Sequence, residues 1–210
     1  MSSYEDDALA ERIRASLERP LPGPLAHDRM RPARPGPEGA GEVRPSAVLV
    51  PIVEGGGRSF LLLIERAPGG PHGGQIAFPG GKEEKGDDSP VATALREARE
   101  EIGLDPASVE VLGLLSPLAV IVSRFLVQPV VGLVAEAPVL RPNPDEVASI
   151  LEVGLDELLD PASKAEREVI ARGEPRRVPC YVFGKTVVWG VTAMMLSELE
   201  EVLREALDRG

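Results

Sequence analysis

Apolar residues fall along this chain in two rhythms, near-continuous runs of strand length and stripes at helical spacing. Stretches 47–53 and 60–64 are runs of the first kind, and Glu54-Gly55-Gly56-Gly57 between them is turn chemistry, so the pair predicts a β-hairpin. Arg66 closes the second strand, residues 67–74 form a loop rich in glycine and proline, and Gln75-Ile76-Ala77-Phe78 is a short apolar segment leading to Pro79-Gly80-Gly81. Further strands are expected at 109–115, 119–122 and 125–134, where β-branched residues are enriched. A proline-punctuated loop, 141–145, precedes a strand-like stretch at 146–153 and one helical turn or more at 155–159. Segments 179–183 and 186–189 predict a last hairpin across Gly184-Lys185, followed by an apolar-faced helix from Val191 to about Leu207. At the other end, Leu9, Ile13 and Leu17 line one side of a helix over 4–19, and residues 20–45, dominated by proline, glycine, arginine and alanine, read as an extended linker or strap. The order predicts an α+β fold, a mixed sheet between helical layers, over residues 45–210, with 1–44 as an N-terminal helix and strap.

The stretch from Gly80 to Leu104 carries the densest signals. Ser89 followed by Pro90 starts a helix, because the serine oxygen can cap free amides and proline suits a position whose amide has no helical partner. Gly103 ends it in the left-handed conformation, with Leu104 available for the accompanying apolar contact. At about 100° per residue, Glu97 and Glu101 stand roughly 40° apart and Glu100 about 60° to the other side of Glu97, so three carboxylates share a face. Val91, Leu95, Ala98 and Ile102 fall on the opposite face, and Arg96 is four residues before Glu100, in reach of an ion pair. Such a run is ordinarily a solvated helix surface. Crowded like charges beside glycines that let backbone approach a ligand point instead to a divalent cation among the carboxylates.

Composition narrows the reading. A net charge of −11 argues against a general nucleic-acid binder, and an anionic substrate would need a metal to bring it in. Cys180 is the single cysteine, which excludes an intramolecular disulfide and a cysteine-based zinc cluster and reads as a buried structural thiol. No apolar run is long enough to span a membrane and the acidic start lacks a signal peptide's features, so the cytoplasm is expected.

The segment Arg96-Glu97-Ala98-Arg99-Glu100-Glu101-Ile102-Gly103-Leu104 resembles the core of the Nudix box, R-E-U-x-E-E-x-G-U with U aliphatic or small, at every fixed position. Upstream, Gly81 is followed by six residues and then Asp88, where the common pattern has five and a glutamate; that spacing resembles the branch that hydrolyses coenzyme A. Leu61-Leu62-Leu63-Ile64-Glu65-Arg66-Ala67 and His72-Gly73-Gly74-Gln75-Ile76-Ala77-Phe78-Pro79-Gly80-Gly81 are similar to that branch, as are fragments 46–51, 127–132, 143–147 and 189–193. Pro68-Gly69-Gly70-Pro71 departs from it, being shorter and lacking the usual apolar and basic residues.

The resemblance implies the Nudix α/β/α sandwich, a hydrolase, and metal binding by Glu97, Glu100 and Glu101. The ion would be magnesium, with manganese as a substitute. Among catalytic candidates are Glu100 and Glu101, and the general base is one of the helix glutamates or Glu146. Arg66, His72, Gln75, Gly80 and Gly81 are implied at the substrate, and Arg96 as a residue that orients a glutamate. The expected reaction is hydrolysis of coenzyme A or its thioesters to 3',5'-ADP and a 4'-phosphopantetheine product. ADP-ribose, dinucleotides and nucleoside triphosphates stay open as other substrates of the same helix, and so does a Nudix module that binds without turnover. The partner is thus a small nucleoside-diphosphate-linked molecule, not a nucleic acid or membrane, and the resemblance leaves room for a homodimer.

Overall fold

The computed structural model describes residues 2–33, 43–69, 72–120, 124–171 and 173–208, with side chains from Leu9 onward. Its strands are β1 (Arg44–Gly55), β2 (Arg58–Arg66), β3 (Ile76–Ala77), β4 (Gly80–Lys82), β5 (Glu110–Leu114), β6 (Leu118–Val120), β7 (Phe125–Val134), β8 (Val147–Gly154), β9 (Lys164–Ala171), β10 (Glu174–Phe183) and β11 (Thr186–Trp189). The helices are α1 (Ser2–Leu17), α2 (Gly23–Arg29), α3 (Pro90–Ile102), α4 (Leu155–Leu159) and α5 (Gly190–Leu207).

Strands β1 and β2 form the expected hairpin, with Gly55 opposite Arg58. Gly56 and Gly57 make the turn at φ 63° and 77°, the left-handed region that a two-residue hairpin loop demands. β7 runs parallel to β1 from Arg44↔Phe125 to Val53↔Val134, while β2–β8, β5–β7, β6–β7, β2–β3 and β1–β4 are antiparallel. The result is a mixed sheet covered on both faces, which is why β1 reads as a continuous apolar run. Leu49 and its neighbours on one face pack with Leu62, Ile64 and Val130 against Ala94, Ala98 and Ile102 of α3. Val50 and Ile52 on the other face pack with Leu61 and Leu63 against α1 and α5. The α/β/α sandwich with a mixed sheet is therefore the architecture. On α3, Ala94 joins Ala98 and Ile102 as the buried stripe, while Val91 and Leu95 are only partly covered.

Two segments depart from expectation. The strap contains a short helix, α2, because Pro24 at its start needs no amide partner and Ala26, His27 and Met30 turn into the body. Residues 34–42 of the strap, the end of the strand expected at 119–122, and Gly70-Pro71 lie outside the described residues. The strand expected at 179–183 is longer, β10, and pairs with β9, which nothing in the pattern announced. β9 is an edge strand carrying Lys164, Glu166, Arg167 and Glu168, charges of the kind that blunt an exposed sheet edge and hide the strand from hydropathy.

Helix α2 is fastened to α5 by a buried acid. Glu198, fully covered, accepts from the Gly23 amide at 3.2 Å and the Ser116 amide at 3.2 Å, and lies 2.8 Å from Nε2 of the buried His27. Burial alone would raise this carboxyl, but the bonds from His27 and Ser116 outweigh it and hold it below the ordinary carboxylate range. Cys180 is buried, its thiol directed at the Ala165 carbonyl at 3.4 Å.

Candidate active site

Helix α3 begins and ends as its sequence requires. Ser89 Oγ accepts from the Ala92 amide at 3.2 Å, and Gly103 closes the helix at φ 69°. Between these caps, the three box glutamates meet different surroundings. Glu101 is 1% exposed, accepts from the Gly80 amide at 2.9 Å and lies 3.7 Å from the Arg66 guanidinium. Burial, with the charges of Glu97 and Glu146 adding to it, pushes its carboxyl up to about 7 against the pull of Gly80 and Arg66. Glu97 is also raised, chiefly by burial, with Glu100 and Glu146 repelling it and Arg96 opposing. Glu100 is 55% exposed at its side chain and paired with Arg96 at 3.0 Å, so it stands at the solvent edge of the cluster.

Gly80 and Gly81 begin the short strand β4, where their bare backbone presses against two neighbours at once. A Cβ on Gly80 would stand 2.4 Å from the Ala47 carbonyl, and one on Gly81 2.4 Å from the Glu97 carboxylate. β4 thus lays its backbone directly on Glu97 and points the Gly80 amide at Glu101.

Arg96 is the keystone of the acidic face. It donates to Glu97 and Glu100 at 3.0 Å each, to the Lys82 carbonyl at 3.1 Å, and to both oxygens of Asp87. Asp87 also accepts from Thr93 at 3.0 Å and the Glu84 amide at 2.9 Å, and these partners, Arg96 foremost, hold it well below the usual carboxylate range. The sequence spacing singled out Asp88; the neighbouring Asp87 makes these bonds, and Asp88 is exposed. Sequence position could not distinguish two adjacent aspartates in a loop.

Beside this cluster opens a cavity of about 370 Å³ lined by Arg66, Pro68, Gly69, His72, Asp145 and Glu146 among others. Three residues expected at substrate or catalysis, Arg66, His72 and Glu146, therefore share one wall with the altered loop. Gln75 lies behind it, its amide oxygen 3.1 Å from His72 Nδ1 and its carbonyl accepting from the Arg66 amide at 3.0 Å. Asn143, which carried no expectation of its own, bonds to both Glu101 and Glu146.

The donors suit a hard divalent cation. Glu101 is buried and Glu97 half-buried one turn away, and both are destabilised as anions, a condition that an inserted positive charge relieves. Among the described residues no three acidic or histidine side chains already converge as a closed cage.

The model of the NUDIX domain matches residues 43–173. Relatives named uncharacterized Nudix hydrolase NudL include one from Pectobacterium atrosepticum, 42% identical over 74% of this chain and 81% of its own length. Those from Photorhabdus laumondii and Escherichia coli are 41% and 37% identical, over 75% and 74% of this chain and 84% and 81% of their own lengths. In fold, the chain is similar to the Nudix hydrolase RenU of M. smegmatis, with a TM-score of 0.55 and 21% identity over 79% of this chain and 96% of that one. It is also similar to a MutT/nudix family protein of Enterococcus faecalis, with a TM-score of 0.53 and 18% identity over 97% and 75%. This chain belongs to the Nudix family and is a Nudix hydrolase. The family works with divalent metal ions, and no helix among the described residues is long and apolar enough to cross a membrane.

Proposed function

We propose that the protein hydrolyses the diphosphate bond of coenzyme A or an acyl-coenzyme A, giving 3',5'-ADP and a 4'-phosphopantetheine product. The observation that carries this is Arg66. It ends the strand that resembles the coenzyme A branch, lines the cavity, and reaches Glu101 at 3.7 Å, so substrate recognition and the acidic helix form one continuous site.

Water must attack a phosphorus surrounded by anionic oxygens, forming a new P–O bond while the bridging P–O bond breaks and its electrons leave with the departing phosphate. Bound magnesium, or manganese in its place, supplies charge neutralisation and a lowered barrier to deprotonating water. Glu97 and Glu101 would hold it, with Glu100 at the outer edge. Arg96 keeps Glu97 from swinging out of the cluster, and the Gly80 amide fixes Glu101. Glu146, which faces the cavity and repels both Glu97 and Glu101, takes the water's proton as general base. Arg66 and His72 meet the anionic part of the substrate, with Gln75 orienting the imidazole. The same reading sets the reaction in the cytoplasm, treats residues 1–44 as an extension of a 45–210 catalytic domain, and leaves room for a homodimer.

One observation favours a second substrate. Asp145 and Glu146 both line the cavity, and two carboxylates disfavour the additional 3'-phosphate of coenzyme A. ADP-ribose or a dinucleotide brings a diphosphate without that group. A panel of coenzyme A, acetyl-coenzyme A, reduced nicotinamide dinucleotide, ADP-ribose and deoxynucleoside triphosphates, incubated with magnesium at mildly alkaline pH and resolved by chromatography, decides. Release of 3',5'-ADP is expected; a preference for ADP-ribose sinks the coenzyme A reading.

A further inference from the structure

The loop between β7 and β8 is fastened at three points to two neighbours. Its Arg141 amide donates to the Ile102 carbonyl at 2.8 Å, and its Asn143 amide to the Glu101 carbonyl at 2.8 Å, so the loop rides on the last turn of α3. The Ala67 amide donates to the Glu146 carbonyl at 2.8 Å, which ties the loop to the cavity wall beyond Arg66. Asn143 is the hub. Its carbonyl accepts from the amides of Glu146 at 3.1 Å and Val147 at 2.8 Å, its Oδ1 accepts from the Asp145 amide at 3.2 Å, and its Nδ2 donates to Glu146 Oε1 at 3.2 Å.

An asparagine that only shaped the turn would need its oxygen, not its amide nitrogen. The nitrogen is spent on the carboxylate of an exposed glutamate, whose side chain has several rotatable bonds and would otherwise sample the cavity freely. From its backbone, the same residue grips the carbonyl of Glu101. One side chain and one peptide group therefore fix the distance between a buried acid of the helix and the acid across the cavity.

We propose that Asn143 is a positioning residue that holds the Glu146 carboxylate at a set reach from Glu101, and so aligns the base with the attacking water. This rests on the reading of Glu146 as the base. Pro142 and Pro144 on either side of Asn143 stiffen the hub, since each fixes its own backbone φ.

Steady-state kinetics of the full chain with magnesium, on whichever panel compound it turns over fastest, test this beside thermal unfolding. Asn143→Ser keeps an oxygen for the Asp145 amide but cannot reach Glu146; Asn143→Asp keeps the turn and replaces the donor with a repelling oxygen. Each is expected to lower kcat about tenfold with KM within about twofold, as loss of an orienting contact does, and with little change in unfolding temperature. In a Glu146→Gln background, Asn143→Ser should add less than about twofold, because its effect passes through Glu146. An equal further loss in that background, or full kcat in Asn143→Asp while Glu146→Gln is slow, overturns the role of Asn143 alone. Full kcat in Glu146→Gln overturns the base assignment and the positioning role with it.

Discussion

Glu101 and Glu97 are one helical turn apart and burial makes both poorer anions, yet β4 meets them differently: the Gly80 amide donates to the first and offsets part of that burial, while the bare backbone of Gly81 lies on the second. Their chemistry should therefore separate from their contribution to folding. Glu101→Gln preserves an acceptor for the Gly80 amide while removing a charge that burial disfavours. Turnover should fall by about a hundredfold or more, and manganese binding, read by calorimetry, should weaken. Above pH 7 the variant should unfold no more readily than the parent, because the parent's carboxyl, raised to about 7, is ionised there at a cost. Gly81→Ala should act in the same direction by another route. Its methyl group would occupy the place of the Glu97 carboxylate, 2.4 Å away, so Glu97 must rotate off the helix face or the strand must lift. Kinetics and unfolding compared on one preparation check it; a variant with normal turnover would show that Glu97 need not lie against β4.

Helix α3 owes its place to more than its apolar stripe. Asp87 clamps Arg96, Thr93 and the Glu84 amide, and so locks the loop after β4 onto the first two turns of the helix. Asp87→Ala should lower stability by roughly 2 kcal/mol, the scale of leaving charge-assisted bonds unmade, and should lower turnover by freeing Arg96 from one side. Asp88→Ala should change stability by less than about 0.5 kcal/mol. Urea unfolding of the two variants reads the contrast; equal effects would contradict it. The same elements show where the sequence could be read. α3, β7 and α4 follow local rules, a capped amphipathic stripe, a β-branched run and a short helical turn, and their residues were legible without the fold. α2 and β9 were not, because proline and glycine mask the one and charge masks the other. In the site, Glu97, Glu101, Glu146, Arg66 and His72 were legible as residue types in a pattern. The hold of Asp87 on Arg96 and of Asn143 on Glu146 was hidden, since each depends on which side chain a loop turns inward.

Across the whole molecule, the layer made by α1 and α2 joins the rest through charge as well as apolar contact. Glu198 binds Gly23 and His27 of the N-terminal segment and Ser116 of the segment after β5, and Arg19–Glu205 and Arg29–Glu201 ion pairs flank it at the surface. On the same helix, Glu200 joins Lys164, Tyr181 and Arg204, and these bonds outweigh burial to hold its carboxyl below the ordinary range too. For both acids the folded form binds its proton less readily than the unfolded chain. The stability they supply is therefore complete above the free carboxylate range, near pH 4.5, and is lost as pH falls through their depressed folded values. Between pH 7 and 5 neither should contribute a slope; below about 4.5 unfolding free energy should drop steeply. Glu198→Gln should flatten part of that drop while costing stability at pH 7. Glu198→Ala, which strands His27 and two amides, should cost roughly 3 kcal/mol at pH 7. Urea unfolding across pH checks the slope, and limited proteolysis checks the site. At pH 4 and below, cleavage within residues 20–33 should appear before cleavage in the sheet, because the N-terminal layer is the part whose attachment runs through Glu198. Simultaneous loss of both would place the acid-sensitive contacts elsewhere in the body.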